Sequence, residues 1–474
     1  MFTKANQSAI MLRKKVKRRL GMKKEQLFKL SKISVLIYLS LTFLNVLLPD
    51  EFVIGISELD YRLDVFQMLM RWFNYVAFVV LPVAVYFDRS TFKKIAIYFC
   101  LPITVIFAFM FCEILPYMTS ALGTGIADIR YLPAFIPTIM RNGVFRGIIF
   151  FATIIAQLGT IVLLFLRDKS VVKFTKKDIM PFAVILPLLI ISIVPAYAPE
   201  SLYDGYTNVI FKAFTLSHLV WVLFMVAEVA VCTIIFKKRP FEDRYILVFI
   251  LALTLFLQFN QLFSSLGELT CKRMPFQLCN IAAYLILVSI VTKNRSLFLF
   301  NILINVAGGI IAAIVMDVSG DGILRFGNVH YILEHNNVIV VPLLCLILGI
   351  FKPITNKDFK NFAIYFTAYF LFVFILGTTF NALYKATESR YFYCNYLFMF
   401  DQETAAGLVP FAGSLFNVKL EIGAVTLYPV IQPIIYATFF AIGTGMLFLL
   451  KAAVKEKPVE TVAIDPVLEE VKIS

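Results

Sequence analysis

Apolar stretches of about twenty residues recur along the whole chain, and short polar clusters separate them. A helix rises about 1.5 Å per residue, so about twenty apolar residues cross the hydrocarbon core of a bilayer. The pattern predicts about twelve spans, at 30–48, 65–87, 95–117, 148–166, 179–198, 216–236, 245–263, 276–291, 297–316, 336–351, 362–380 and 424–450. The expected fold is all-α, a polytopic transmembrane helix bundle.

The polar clusters alternate in charge. The segment before the first run holds "RKKVKRR", and alternate connections read "DRSTFKK", "RDKSVVKFTKKD", "KKRPFEDR", "TKNRS" and "KPITNKDFK". The intervening ones, such as "PDEFVIGISELDYRLD", "APESLYDGY" and "DVSGDG", are more acidic or mixed. Lysine and arginine are retained on the cytoplasmic side of a membrane, so this alternation places both termini in the cytoplasm. It also gives every later residue an inner or outer address. The basic tail acts as a topology determinant, with attraction to anionic headgroups as a second use.

Composition agrees and excludes other classes. Sixty per cent of the 474 residues are apolar, 15% aromatic and 16% charged, and mean hydropathy is +0.85, outside the soluble globular range. The net charge of +14 sits in the tail and the connections, where bilayer orientation explains it and a nucleic-acid partner is not needed. Seven scattered cysteines form no CxxC pair and no zinc spacing. The first apolar run has no small-residue cleavage site and is expected to be an uncleaved anchor.

Polar side chains inside a bilayer are costly, so their clustering is informative. The segment "RMPFQLCNIAAYL" at 273–285 puts Cys279 about one turn inside the outer end of its run. His218, His335, Asn336 and Asn337 begin runs from the same side, and Gln258, Asn260 and Gln261 end one there. Asn381 and "YFYCNYLF" at 391–398 fall in the long outer connection before the last run. Each has a plain alternative: a cysteine as a small packing residue, a histidine at the interface, an amide as interhelical glue. Together a thiol and an imidazole at one depth are what nucleophilic acyl transfer requires, with asparagine amides to hold the oxyanion.

Weaker motifs add little. "DVSGDG" opens like an EF-hand loop, but Asn328 stands where a glutamate is needed, so it is expected to be a polar turn. His330 and Glu334 are one helical turn apart, with no third metal ligand. No Walker loop, dinucleotide fingerprint or HExxH occurs, and neither a cofactor nor a metal is expected. "VFQMLMRW…DRSTF" near 65–92 and "PFQLCNIA…NRSLF" near 275–298 share a rhythm that fits either a duplication or chance.

In order, "FKAFTLSHLVWVLF", "PFQLCNIAAYL", "VHYILEHNNVIVVPLL" and "FNALYKATESRYFYCNYLFM" resemble the YwaF-like family of bacterial integral membrane proteins. The likeness runs over about 211–450 and touches His218, Pro275, Cys279, His335, Pro342, Asn395 and Tyr396. Phe276 replaces the usual leucine and Asn336 the usual glycine. That family is distantly similar to a eukaryotic transmembrane family that moves fatty acyl groups between phospholipids through a cysteine. It is also similar to androgen-induced-type membrane lipid hydrolases. The resemblance implies lipid acyl chemistry, with Cys279 as nucleophile, His335 as base and acid, and His218, Asn395 and Tyr396 around the substrate; the polar clustering at the outer side adds Gln277, Asn280, Asn336 and Asn381 to that set.

The chain then divides into a basic cytoplasmic tail (1–32), a five-span region (33–205), a YwaF-like seven-span region (206–450) and a disordered cytoplasmic tail (451–474). It is expected in the cell membrane, with membrane lipids as partners and a lipid or small molecule as substrate. The rival functions are a transporter or channel using Glu113, Glu228 and Arg71, which the number of spans also suits, and a non-catalytic membrane subunit.

Overall fold

The computed structural model describes residues 2–47, 65–118, 143–203, 209–265, 271–314, 322–402 and 412–453. Most of the "DVSGDG" turn, the tail from 454 and the Glu113 side chain lie outside the described residues. The chain is an all-α bundle. Its helices are α1 (Phe2–Leu47), α2 (Val65–Tyr86), α3 (Ser90–Ile95), α4 (Leu101–Met118), α5 (Gly143–Arg167), α6 (Lys176–Ser192), α7 (Ala198–Tyr203) and α8 (Leu216–Phe236). There follow α9 (Phe241–Ser265), α10 (Leu278–Thr292), α11 (Arg295–Phe300), α12 (Val306–Ile314), α13 (Phe326–Ile347), α14 (Asp358–Thr387), α15 (Ala412–Leu415) and α16 (Ile431–Ala453). Among the described residues nine helical stretches are long and apolar enough to cross a membrane. The other three expected spans fold as α6, α9 and α10.

Two boundaries differ from expectation. The run expected to start at 336 belongs to a helix that starts at Phe326. Its first ten residues carry His330, Glu334 and His335, which lower the hydropathy, but neighbouring helices bury them. The last span starts at Ile431 and not at 424. The residues before it form a hairpin, β1 (Leu420–Ile422) against β2 (Val425–Leu427), turned at Gly423 with φ +60°.

The expected inner connections meet at one end of the bundle. Lys93 reaches Asp168 at 2.9 Å and Arg89 reaches Asp243 at 2.6 Å. Arg167 pairs with Asp88, and Lys94 with Asp178. Arg295 bonds both oxygens of Asp358, and Lys451 reaches Asn356. Every pair joins two connections of the same expected side. At the other end Glu200 accepts from Arg325 and from the Phe326 N–H that opens α13. Lys385 pairs with Glu421 of the hairpin there.

Local geometry recurs within the chain. Asp88 has φ +55°, Arg89 caps α3, and the six residues of α3 lead into a π-helix, Ala96–Cys100. Each feature returns 205 residues on: Lys293 with φ +53°, Asn294 as cap, the six residues of α11 and a π-helix, Asn301–Asn305. Thr175 donates its N–H and hydroxyl to Asp178. Thr355 does the same to Asp358, 180 residues on. Each of these aspartates also binds a cation on the short second helix of its half, Lys94 on α3 or Arg295 on α11. Near the opposite end Trp72 Nε1 donates to Ile190 O, and Tyr369 OH to Phe276 O, tying α2 to α6 and α10's entry to α14. The stretch α2–α6 is thus repeated as α10–α14. Continued along the helices, the spacings set Asn74 against Cys279 and Gln157 against Asn337.

Candidate functional site

Cys279 is the second residue of α10. The first four N–H groups of a helix have no partner within it, and Gln277 at the cap position makes no side-chain cap among the described residues. Gln277, at the cap position, is used elsewhere. Its Nε2 donates to Asn395 O at 2.8 Å and its Oε1 accepts from Leu397 N–H at 3.0 Å. Tyr396 OH donates to Cys271 O, Asn381 Nδ2 donates to Cys394 O at 2.9 Å, and Asn395 Oδ1 accepts from Phe400 N–H at 3.0 Å. Gln277, Asn381, Asn395 and Tyr396 therefore bond backbone: Gln277 and Tyr396 hold the 390s loop against the entry to α10, Asn381 ties that loop to α14, and Asn395 bonds within it. The half-buried thiol and the half-buried Asn280 beside it take no part in that clamp.

Opposite stands the polar part of α13. Gly309 of α12 lets it approach, since a Cβ there would lie 2.8 Å from Ile339 Cγ1. Buried Glu334 lies within electrostatic range of the Cys279 thiol, as does the Tyr369 hydroxyl. Glu334 Oε2 is 3.7 Å from His330 Nδ1, and its Oε1 makes no hydrogen bond among the described residues. His330 Nε2 points to Phe259 O at 3.4 Å. His335, one residue from Glu334, bonds Tyr331 O through Nδ1 at 2.8 Å. A carbonyl only accepts, so Nδ1 carries the hydrogen and Nε2 presents a lone pair, the tautomer of a general base. No hydrogen bond joins His335 to Cys279 among the described residues.

The remaining candidates lie on other contacts. His218 Nδ1 accepts from Phe214 N–H at 3.0 Å and Nε2–H donates to Ala313 O at 2.6 Å, so both ring nitrogens are occupied. The imidazole holds Phe214 in a left-handed turn, φ +63°, at the start of α8. Asn336 Nδ2 donates to Glu228 Oε2 of α8 at 2.6 Å.

The structure thus groups Cys279 with Glu334 and Tyr369, sets His335 on the adjoining face of α13, and separates His218. Glu334 and Tyr369 were missed as neighbours of the thiol. The His330 and Glu334 spacing was the available signal, and no spacing announces Tyr369. Among the described residues no three metal-ligating side chains converge.

A model of the TMEM164 family, a multi-pass membrane family, matches residues 213–450. The chain belongs to the TMEM164 family. Neither a curated protein nor a solved structure matches it. The matched segment contains every residue of the site around Cys279 and α13. The helices before α8 lie outside it.

Proposed function

We propose that this multi-pass protein acts in the cell membrane and transfers acyl groups between lipids through a thioester on Cys279. The observation that carries the reading is a half-buried thiol at an uncapped helix start beside the polar face of α13. The Cys279 Sγ attacks the carbonyl carbon of a lipid ester as His335 Nε2 takes the thiol proton. The proton passes to the departing lysolipid oxygen, leaving a thioester on the enzyme. A second lipid hydroxyl, or water in the hydrolytic variant, attacks the thioester and returns a proton to sulfur through His335. The N–H groups of the first turn of α10 face the developing oxyanion. Substrate binding brings His335 and Cys279 together, since such contacts tighten in the Michaelis complex. Gln277 and Tyr396 act by holding the entry to α10, Asn381 and Asn395 by shaping the loop they bond, and Asn280 and Asn336 flank the ester. The YwaF-like resemblance, with its distant likeness to phospholipid acyltransferases and lipid hydrolases, supports the reading. An acyl probe is expected to label Cys279. Labelling that persists unchanged in Cys279→Ala contradicts it.

The internal repeat favours a second reading, transport, because many transporters are built from repeats. Substrate flux in proteoliposomes that survives thiol alkylation distinguishes it.

A further inference from the structure

Two cysteines meet where the 390s loop joins the entry to α10. Cys271 opens a single 3-10 turn, Cys271–Arg273, which packs against a second one, Arg390–Phe392. Cys394 follows that second turn directly. Tyr396 OH donates to the backbone oxygen of Cys271, 125 residues away, so the chain just past Cys394 is bonded to the other cysteine's own peptide. The Cys271 thiol lies within electrostatic range of the Cys394 thiol and of the Tyr391 and Tyr396 hydroxyls. Both cysteines are buried in one apolar cluster with Tyr396 and Leu397. Cys394 Sγ accepts from Asn381 Nδ2 at 3.4 Å and donates to Gly377 O at 3.7 Å. A disulfide sulfur keeps the first contact as an acceptor, and gives up only the second, a long S–H contact from a weak donor. The loop beyond Cys394 has to be held, because Leu397 and Phe398 both have positive φ, +52° and +60°. Non-glycine residues persist in the left-handed region only where their surroundings fix them. Both cysteines fall in connections of the expected outer side, the side on which disulfides form and last.

We propose that Cys271 and Cys394, free thiols in this structure, are a disulfide-forming pair whose oxidation locks the 390s loop to the entry of α10. The oxidant is a small-molecule or protein disulfide on the outer side. One thiolate attacks the S–S bond of that oxidant, forming a mixed disulfide and releasing one thiol. The other thiolate attacks the cysteine sulfur of the mixed disulfide, which forms the Cys271–Cys394 bond and releases the second thiol. Two electrons and the two thiol protons pass to the oxidant, which leaves as two thiols. The covalent bond joins the same two segments that Gln277 and Tyr396 join by hydrogen bonds. Neither cysteine takes part in acyl transfer, so the pair stands apart from that reading.

Peptide mapping without reduction tests it. The full-length protein in lipid nanodiscs is incubated with oxidised glutathione, denatured in N-ethylmaleimide to block free thiols, and digested. A peptide pair joined through Cys271 and Cys394 is expected. Recovery of the two cysteines as maleimide or glutathione adducts, or joined to other cysteines, overturns the proposal. Thermal unfolding then reads the lock. Reduction is expected to lower the midpoint of oxidised wild type by several degrees, because the cross-link closes a long loop in the unfolded chain. Cys271→Ser and Cys394→Ser are expected to show no response to reductant, and either variant suffices if the other does not fold. An oxidised wild type whose midpoint ignores reductant overturns the locking role. Cys279→Ala is expected to form the bond as wild type does, so failure of Cys279 acylation leaves the pair standing.

Discussion

The Asn336 amide is the partner of the Glu228 carboxyl, which lies within the apolar helix α8. Removing the amide leaves the half-buried Glu228 carboxyl without this donor. Asn336→Gly is therefore expected to lower stability by about 1–2 kcal/mol, the range for interhelical hydrogen bonds in membranes. Thermal unfolding in detergent measures it, and an unchanged midpoint counts against the pair. His218 and His335 look alike in sequence and differ in what their nitrogens do. His218→Leu is expected to destabilise the start of α8, where Phe214 loses its acceptor, while acyl labelling per folded molecule stays constant. His335→Asn is expected to leave the fold intact and slow labelling by about a hundredfold or more, the usual contribution of a general base. The two variants exchange these outcomes if the roles are reversed. The sequence could not separate the two histidines, because the difference lies in which carbonyl or amide each ring meets.

At the scale of elements, the helices were legible where apolar runs are continuous. They were misread where tertiary burial replaces composition. The polar first turns of α13 are enclosed by other helices, so hydropathy placed its start ten residues late. The long outer connection conceals a hairpin whose strands are too short to show a period. The inner connections carry an acid-sensitive element. The Ser170 hydroxyl and then the Lys93 ammonium hold the Asp168 carboxyl down at about 2. A depressed carboxyl stabilises the fold in full above its unfolded value near 4, and that contribution is lost as the pH falls toward 2. The unfolding midpoint of wild type is expected to drop across that window more than that of Asp168→Asn. Parallel pH profiles would show that the Asp168 contacts carry no stability.

For the whole molecule, charge alternation in the connections was the most informative sequence signal. The ion pairs of the inner end join connections that are far apart in sequence but share an expected side. Single cysteines introduced at Lys169 and Lys352 are expected to react with an impermeant maleimide from the same side, and cysteines at Lys212 and Lys419 from the opposite one. The repeat was scarcely legible, because its motifs are short and only the positive-φ residue, cap, π-helix and Thr–Asp box make its spacing plain. The thiol was visible from the start, whereas its surroundings come from α13 and α14, distant in the chain. The most direct test of the account is acyl-probe labelling of the purified protein in lipid nanodiscs, followed by peptide mapping. A thioester on Cys279 that forms with wild type and is lost in His335→Asn is the predicted result. No acylation of Cys279, with substrate flux intact after thiol alkylation, would contradict it.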